Sequence, residues 1–153
     1  MAETYPDANF VGFEVQLGVL YYAAQKVFER NLPNAKVSLF DIAGIEDVVA
    51  PGEVDRFYIN FCDPWPKARH AKRRLTYRTF LDRYARLLKP QGEIHFKTDN
   101  EGLFLFSLEE FKECGWTLKN VTYDLHSTDM PNVMTEYEEK FSKKGCLLYT
   151  SDA

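Results

Sequence analysis

The residues best suited to chemistry in this chain lie together in residues 55–74, which read DRFYINFCDPWPKARHAKRR. The apolar, β-branched and aromatic part, residues 56–62, predicts a strand buried on both faces of a parallel sheet. Pro64 and Pro66 must end that strand, because each fixes φ and lacks a backbone donor. Ligands bind beyond the carboxyl ends of the strands in an open α/β sheet. The carboxylate of Asp63 and the ring of Trp65 are therefore candidates for binding a ligand there.

A cluster of cations, which we call the basic cluster, follows at once. It consists of Lys67, Arg69, His70, Lys72, Arg73 and Arg74. The chain has a net charge of −4, so without these five permanent cations it would carry −4 − 5 = −9. Positive charge concentrated on an acidic protein favours a polyanionic partner. Two alternatives stay open, because a charge run is often only a solvated surface and an aspartate before proline often only starts a turn.

The elements that must position these residues alternate between strands and helices. Strands are predicted at residues 9–14, 36–42, 56–62, 93–97, 116–125 and 146–150, and helices at 15–31, 44–50, 75–88, 101–114 and 135–143. This alternation predicts an α/β fold with a mostly parallel, doubly wound sheet, in a single domain over residues 1–153. Three carboxylates, Glu14, Asp41 and Asp63, fall at predicted strand ends.

Composition restricts the class of protein. Hydrophobic residues make up 45% of the chain, which is enough for one globular core. The three cysteines, Cys62, Cys114 and Cys146, are too far apart for a paired metal site or a disulfide framework, so we expect a reducing cytoplasm and no metal. No run approaches the roughly 20 apolar residues that span a bilayer, and we expect no membrane association.

Three motifs carry a family resemblance. They are residues 63–75, DPWPKARHAKRRL; residues 95–100, HFKTDN; and residues 134–141, MTEYEEKF. In this order they resemble the bacterial tRNA (guanine-N7)-methyltransferase family over nearly the whole chain. The resemblance implies a Rossmann-like class I methyltransferase fold, S-adenosylmethionine as cofactor, tRNA as partner, and methylation of a guanine N7 in the variable loop. A monomer or a homodimer is expected.

The resemblance also implies roles for individual residues. A carboxylate such as Glu14 can accept two charge-assisted hydrogen bonds from ribose hydroxyls, although a surface acid is an even alternative. By resemblance, Asp41 lies near the cofactor adenine, and Asp63 serves both cofactor and catalysis. Substrate contacts are implied for Lys67, Asp99, Thr135 and Glu138, and RNA contacts for Arg69, His70, Lys72, Arg73 and Arg74. Helix caps are the alternative for Asp99 and for Thr135 with Glu138.

One expected element is absent from the sequence. The fold places a strand and a glycine-rich turn in the middle of the sheet, between the strands ending at Glu14 and at Asp63, and the chain has neither. We therefore expect an amino-terminally truncated enzyme with a divided sheet. The second hypothesis is a non-catalytic tRNA-binding module. A nucleotide-dependent oxidoreductase is a weaker third, because no G-x-G-x-x-G motif is present and the basic cluster would be unexplained.

Overall fold

The computed structural model describes residues 1–124 and 149–152. The chain divides into two compact units, Met1–Val48 and Val49–Ala153. Each unit is described by itself below, and the expectation of a single domain stays a prediction. Within the described residues, none of the helices combines the length and the apolar character needed to cross a membrane.

The first unit is a small parallel βαβ arrangement. It contains β1 (Phe10–Glu14), α1 (Leu17–Glu29), β2 (Ala35–Leu39) and a 3-10 helix at Ile42–Asp47. The two strands pair in parallel, with Glu14 opposite Leu39. Apolar side chains of α1 are mostly exposed, with Leu17 68% and Phe28 82% exposed. A two-stranded sheet offers too little apolar surface to bury a helix of this length.

The second unit contains most of the chain. Its elements are β3 (Val54–Asn60), α2 (Arg78–Leu87), β4 (Leu88–Thr98), α3 (Glu101–Glu113), β5 (Lys119–Thr122) and β6 (Tyr149–Asp152). The strand order is β3-β4-β6-β5. Strands β3 and β4 are parallel, whereas β6 runs antiparallel to both β4 and β5. The predicted α/β fold is confirmed, and β3, β4 and β5 run in the same direction.

The strands form two separate sheets, one in each unit. The first contains β1 and β2, and the second contains β3, β4, β6 and β5. Among the described residues, no strand of one sheet pairs with a strand of the other, as expected for a divided sheet.

Aromatic residues form the core of the second unit on one face of the sheet. Phe57 of β3 lies 4.8 Å from Tyr84 of α2 between ring centroids, and Phe96 of β4 lies 6.5 Å from both Phe104 and Phe111 of α3. All but Phe57 are buried almost completely. Burial of these rings, together with aliphatic side chains such as Leu81 and Ile94, stabilises the unit.

The other face of β3 and β4 is polar, so the prediction that β3 is buried on both faces is wrong. Arg56 lies opposite Glu93 and Tyr58 opposite His95. Arg56 Nη2 is 3.2 Å from Glu93 Oε2, and His95 Nε2 is 2.9 Å from the same oxygen. The alternation along the strand places these side chains away from the helices, where cross-strand pairing replaces apolar burial.

Strand β4 starts earlier than predicted. The predicted strand begins at residue 93, but residues 88–92 form an irregular beginning of β4, where the register with β3 shifts. A Cβ on Gly92 would come within 2.9 Å of the Leu88 side chain and of the Lys89 carbonyl oxygen. Only glycine allows the chain to pass from α2 into β4 so tightly.

Candidate active site

Two carboxylates follow neighbouring parallel strands. Asn60 at the end of β3 pairs with Lys97 of β4, and the Phe61 N–H donates to the Lys97 carbonyl at 2.9 Å. Asp63 and Asp99 come within three residues of these pairs, at the same edge of the sheet, and both are exposed. The structure therefore places two of the predicted acidic residues, Asp63 and Asp99, after adjacent strands at the same end of the sheet.

The turn that carries Asp63 has an unusual backbone. Phe61 has a φ of 52° and Trp65 a φ of 43°. The left-handed region costs a non-glycine residue about 1–2 kcal/mol, because Cβ approaches the following carbonyl oxygen. Two bulky residues on either side of one carboxylate are therefore held in this region by their surroundings, a pattern that is found at functional sites.

Cys62, beside Asp63, is not a nucleophile. Burial, with a smaller contribution from the nearby Asp63 carboxylate, raises the pKa of its thiol to about 12. The thiolate is the reactive form of cysteine, so this side chain stays protonated at neutral pH. The acidic group that the turn exposes is the carboxylate of Asp63.

The basic cluster forms a 3-10 helix at Ala68–Arg73 that packs against Trp65. The Arg73 guanidinium lies 5.0 Å from the centroid of the Trp65 ring, and the His70 ring meets Trp65 edge-on at 5.7 Å. Four cations, Lys67, Arg69, Lys72 and Arg73, are exposed. The cluster thus presents a positive surface directly beside the Asp63 turn.

Arg74 differs from its neighbours in the cluster. Its Nε donates to the carbonyl oxygens of Pro64 and Trp65 at 3.1 Å each, and its Nη2 donates to the Trp65 oxygen at 2.9 Å. The guanidinium also lies 4.4 Å from the centroid of the Phe106 ring in α3. Sequence analysis did not anticipate this role, since spacing cannot tell an arginine that binds a loop from one that faces solvent.

Asn100, not Asp99, caps helix α3. The Asn100 Oδ1 accepts a hydrogen bond from the Leu103 N–H at 2.8 Å, and the Asn100 N–H donates to Thr98 Oγ1 at 3.1 Å. The alternative that Asp99 caps this helix is therefore wrong. A side chain one residue further along reaches the free N–H groups of the first turn, so the Asp99 carboxylate is not required there.

The remaining predicted residues divide into two groups. Glu14 and Asp41 lie in the first unit, where β1 ends at Glu14 and Asp41 comes two residues after β2. The Glu14 Oε1 accepts from the N–H groups of Val15 at 2.9 Å and Gln16 at 3.0 Å, and the Asp41 Oδ1 accepts from the Ala43 N–H at 2.9 Å. Thr135 and Glu138 lie outside the described residues.

Sequence analysis missed one carboxylate at this edge. Strand β5 was predicted at residues 116–125 but ends at Thr122, so Asp124 follows the strand instead of lying within it. Strands β4 and β5 are both antiparallel to β6, so they run in the same direction. Asp124 therefore lies at the same carboxyl-terminal end of the strands as Asp99. An acidic residue directly after a strand is a signal that the sequence contains. It was missed because the predicted strand extended past Thr122 and included Asp124.

Residues that could hold S-adenosylmethionine are partly present. Two carboxylates follow β1 and β2, the type of group that accepts hydrogen bonds from ribose hydroxyls and from an amino group of adenine. Each retains an oxygen beyond the one that binds the backbone, so the adenosine half of the cofactor fits this donor and acceptor set. The chain has eight glycines, but they do not form a glycine-rich motif of the type that binds the methionine half of S-adenosylmethionine.

Comparison with known proteins agrees with this arrangement. A family model described as a putative methyltransferase matches residues 1–150. The tRNA (guanine-N(7)-)-methyltransferases of Streptococcus agalactiae and Streptococcus pneumoniae are both 53% identical over 154 aligned residues. These cover 100% of this chain and 73% of each relative.

Solved structures share the fold. A SAM dependent methyltransferase from Aquifex aeolicus aligns with a TM-score of 0.60 at 15% identity, over 94% of this chain and 68% of that one. A precorrin-6y C5,15-methyltransferase from Geobacter metallireducens aligns with a TM-score of 0.63 at 13% identity, over 99% and 71%. Likeness at such low identity shows the Rossmann-like methyltransferase fold alone. The relatives at 53% identity show more: the chain belongs to the tRNA (guanine-N7)-methyltransferase family.

Proposed function

We propose that this chain carries the substrate-binding and catalytic part of a S-adenosylmethionine-dependent enzyme that methylates guanine N7 in the variable loop of tRNA. The observation that carries the proposal is the pair of acidic turns after β3 and β4 beside an exposed basic cluster. The 53% identity to tRNA (guanine-N(7)-)-methyltransferases supports the same reaction. A cytoplasmic location follows from the tRNA substrate.

The reaction needs positioning and negative charge more than proton transfer. Guanine N7 has an in-plane lone pair and no proton, so no general base is required. The cofactor supplies a methyl group on a positively charged sulfur. As the methyl carbon bonded to N7, its bond to sulfur would break with the electron pair left on sulfur, so the cofactor would leave as a neutral thioether and the positive charge would pass to the guanine. A fixed carboxylate nearby would lower the energy of that state.

Each acidic residue has a proposed role. Asp63 contacts the cofactor and stabilises the developing charge, and Asp99 accepts hydrogen bonds from the guanine N1 and N2 donors. Lys67, together with Thr135 and Glu138, completes the guanine contacts. Glu14 and Asp41 bind the ribose and adenine of the cofactor. Four of these acids follow parallel strands, where the α/β fold exposes ligand-binding groups: Glu14 and Asp41 in the first unit, and Asp63 and Asp99 in the second.

The exposed cations of the basic cluster, Lys67, Arg69, Lys72 and Arg73, are proposed to bind tRNA phosphates. Such contacts release counterions, so the logarithm of the affinity falls linearly with the logarithm of salt concentration. They set the position of the RNA, while the guanine is selected by shape and by the pocket. Replacing Arg69 and Arg73 together by alanine is expected to flatten this dependence in a filter-binding titration.

The enzyme and the tRNA-binding module predict different results. Radioactive S-adenosylmethionine is incubated with the protein and unmodified tRNA, and N7-methylguanine is located by borohydride reduction and aniline cleavage. The enzyme is expected to give cleavage in the variable loop, lost in Asp63→Asn while tRNA binding persists. Retained tRNA binding with no cofactor heat in calorimetry and no methylation would favour the module.

A further inference from the structure

Arg74 differs from the exposed members of the basic cluster because its guanidinium binds the backbone of the turn that carries Asp63. It makes three hydrogen bonds to the carbonyl oxygens of Pro64 and Trp65. Its other side rests on the Phe106 ring of α3 at 4.4 Å. The side chain is half-buried, whereas Arg69 and Arg73 are exposed. Arg74 thus connects the turn after β3 to the helix that follows β4.

The turn needs such a connection because its backbone is strained. Both Phe61 and Trp65 have positive φ values, and prolines on either side of Trp65 leave few N–H groups to form hydrogen bonds within the turn. At one end, the Phe61 N–H is held by the Lys97 carbonyl. At the other end, Arg74 holds the Trp65 carbonyl with two donors. The backbone at both ends of the Asp63 turn is thereby bound.

We propose that Arg74 is a positioning residue, which holds the strained turn so that Asp63 faces its ligand, and that Arg74 does not bind the RNA backbone. This inference rests on the proposed function of Asp63. It divides the basic cluster into an exposed part that meets phosphates and one arginine that belongs to the catalytic turn.

The choice of arginine has a physical reason. A planar guanidinium can donate from Nε and Nη2 to one side while its face stacks on an aromatic ring. A lysine ammonium is a point donor without a flat face, and it cannot bind two carbonyls and cover Phe106 at once. The variant Arg74→Lys is therefore expected to keep the charge and lose the position.

The test uses the full chain with Trp116→Phe, which leaves Trp65 as the only emitting tryptophan, since the chain has two. Trp116 packs on Phe111, away from the turn. Arg74→Ala and Arg74→Lys are compared with Arg69→Ala, which removes an exposed arginine of the same cluster and serves as the matched control. Thermal melting confirms that each variant is folded.

For Arg74→Ala and Arg74→Lys, acrylamide quenching of Trp65 is expected to rise at least twofold, with the salt slope of tRNA binding unchanged. Arg69→Ala is expected to leave the quenching unchanged and to lower the slope by about 0.7 to 0.9, the value for one phosphate contact. Methyl transfer by Arg74→Ala is expected to lose at least tenfold in kcat with KM for tRNA within threefold. Guanidinium ion at constant ionic strength is expected to restore part of kcat.

Opposite results have distinct meanings. Arg74 variants that lower the salt slope as Arg69→Ala does, with unchanged Trp65 quenching, would overturn the positioning role. An unaltered kcat in Arg74→Ala would also overturn it. An unsubstituted chain that neither binds nor methylates tRNA would refute the proposed function instead, and the quenching comparison would still decide whether Arg74 holds the turn.

Discussion

The buried carboxylate of Glu110 in α3 accepts a hydrogen bond from the backbone N–H of Arg78, the first residue of α2, at 2.7 Å. The Arg78 side chain returns to the same carboxylate, with Nη2 2.8 Å from Oε1. One helix thereby supplies the amino-terminal cap of its neighbour, and negative charge meets the positive end of the α2 dipole. The pair joins helices α2 and α3 of the second unit.

Replacing this carboxylate is expected to destabilise the second unit. Glu110→Ala removes a cap and the charge-assisted hydrogen bonds of Arg78, and the loss should be about 2–4 kcal/mol in the free energy of unfolding. Urea denaturation followed by circular dichroism measures it. The matched control is Glu109→Ala, an exposed glutamate on the same helix, for which a change within about 0.5 kcal/mol is expected. Equal losses in the two variants would contradict the capping role.

Substitutions of Thr76 and Ser107, whose buried hydroxyls are hydrogen-bonded to each other, should have non-additive effects on the free energy of unfolding. Ser107 Oγ donates to the Leu103 carbonyl at 2.7 Å, so the Thr76 hydroxyl is the donor in the 2.7 Å bond between the two side chains. Ser107→Ala leaves a buried donor without its acceptor and is expected to cost about 1–3 kcal/mol, more than the roughly 1 kcal/mol of Thr76→Val. The double variant should cost less than the sum of the single losses. Strict additivity in denaturation would show that the bond contributes nothing.

Glu93 should make stability depend on acid pH. The hydrogen bond from His95, aided by the charge of Arg56, holds the pKa of Glu93 below its ordinary value of 4.5. The ionised Glu93 carboxylate therefore contributes fully to the free energy of unfolding above pH 4.5, and this contribution is lost as the pH falls through the lowered pKa. Glu93→Gln is expected to lessen the fall in Tm below pH 4.5, whereas Glu109→Gln should leave the profile unchanged. A profile for Glu93→Gln that superimposes on the parent would refute this linkage.

Cys62 should resist alkylation in the native protein. With its pKa raised from 9.0 to about 12, the thiolate fraction at pH 8 falls by a factor of about 1000. Iodoacetamide labelling followed by peptide mass spectrometry is expected to modify Cys62 only after urea is added. Because burial is the main cause, Asp63→Asn should raise the native labelling rate only slightly. Rapid labelling of Cys62 in the folded chain would show that the strand end is open.

The positions of Asp63 and Asp99 could be predicted from the sequence because the signal is local. Asp63 follows an apolar run that two prolines terminate, and Asp99 follows the next strand. A strand that stops at a polar residue predicts a position at the end of the sheet without any knowledge of the partner strands. The division of the strands into two sheets was also predicted.

The tertiary structure alone decided which neighbours serve these acids. Arg73 and Arg74 are adjacent and identical in type, yet one lies over the Trp65 ring and the other binds the Trp65 carbonyl. The cap of α2 comes from Glu110, 32 residues away in the chain. The sequence determined where charge and strand ends fall, since these depend on local composition. Partners across the fold depend on packing between distant segments, which local pattern does not encode.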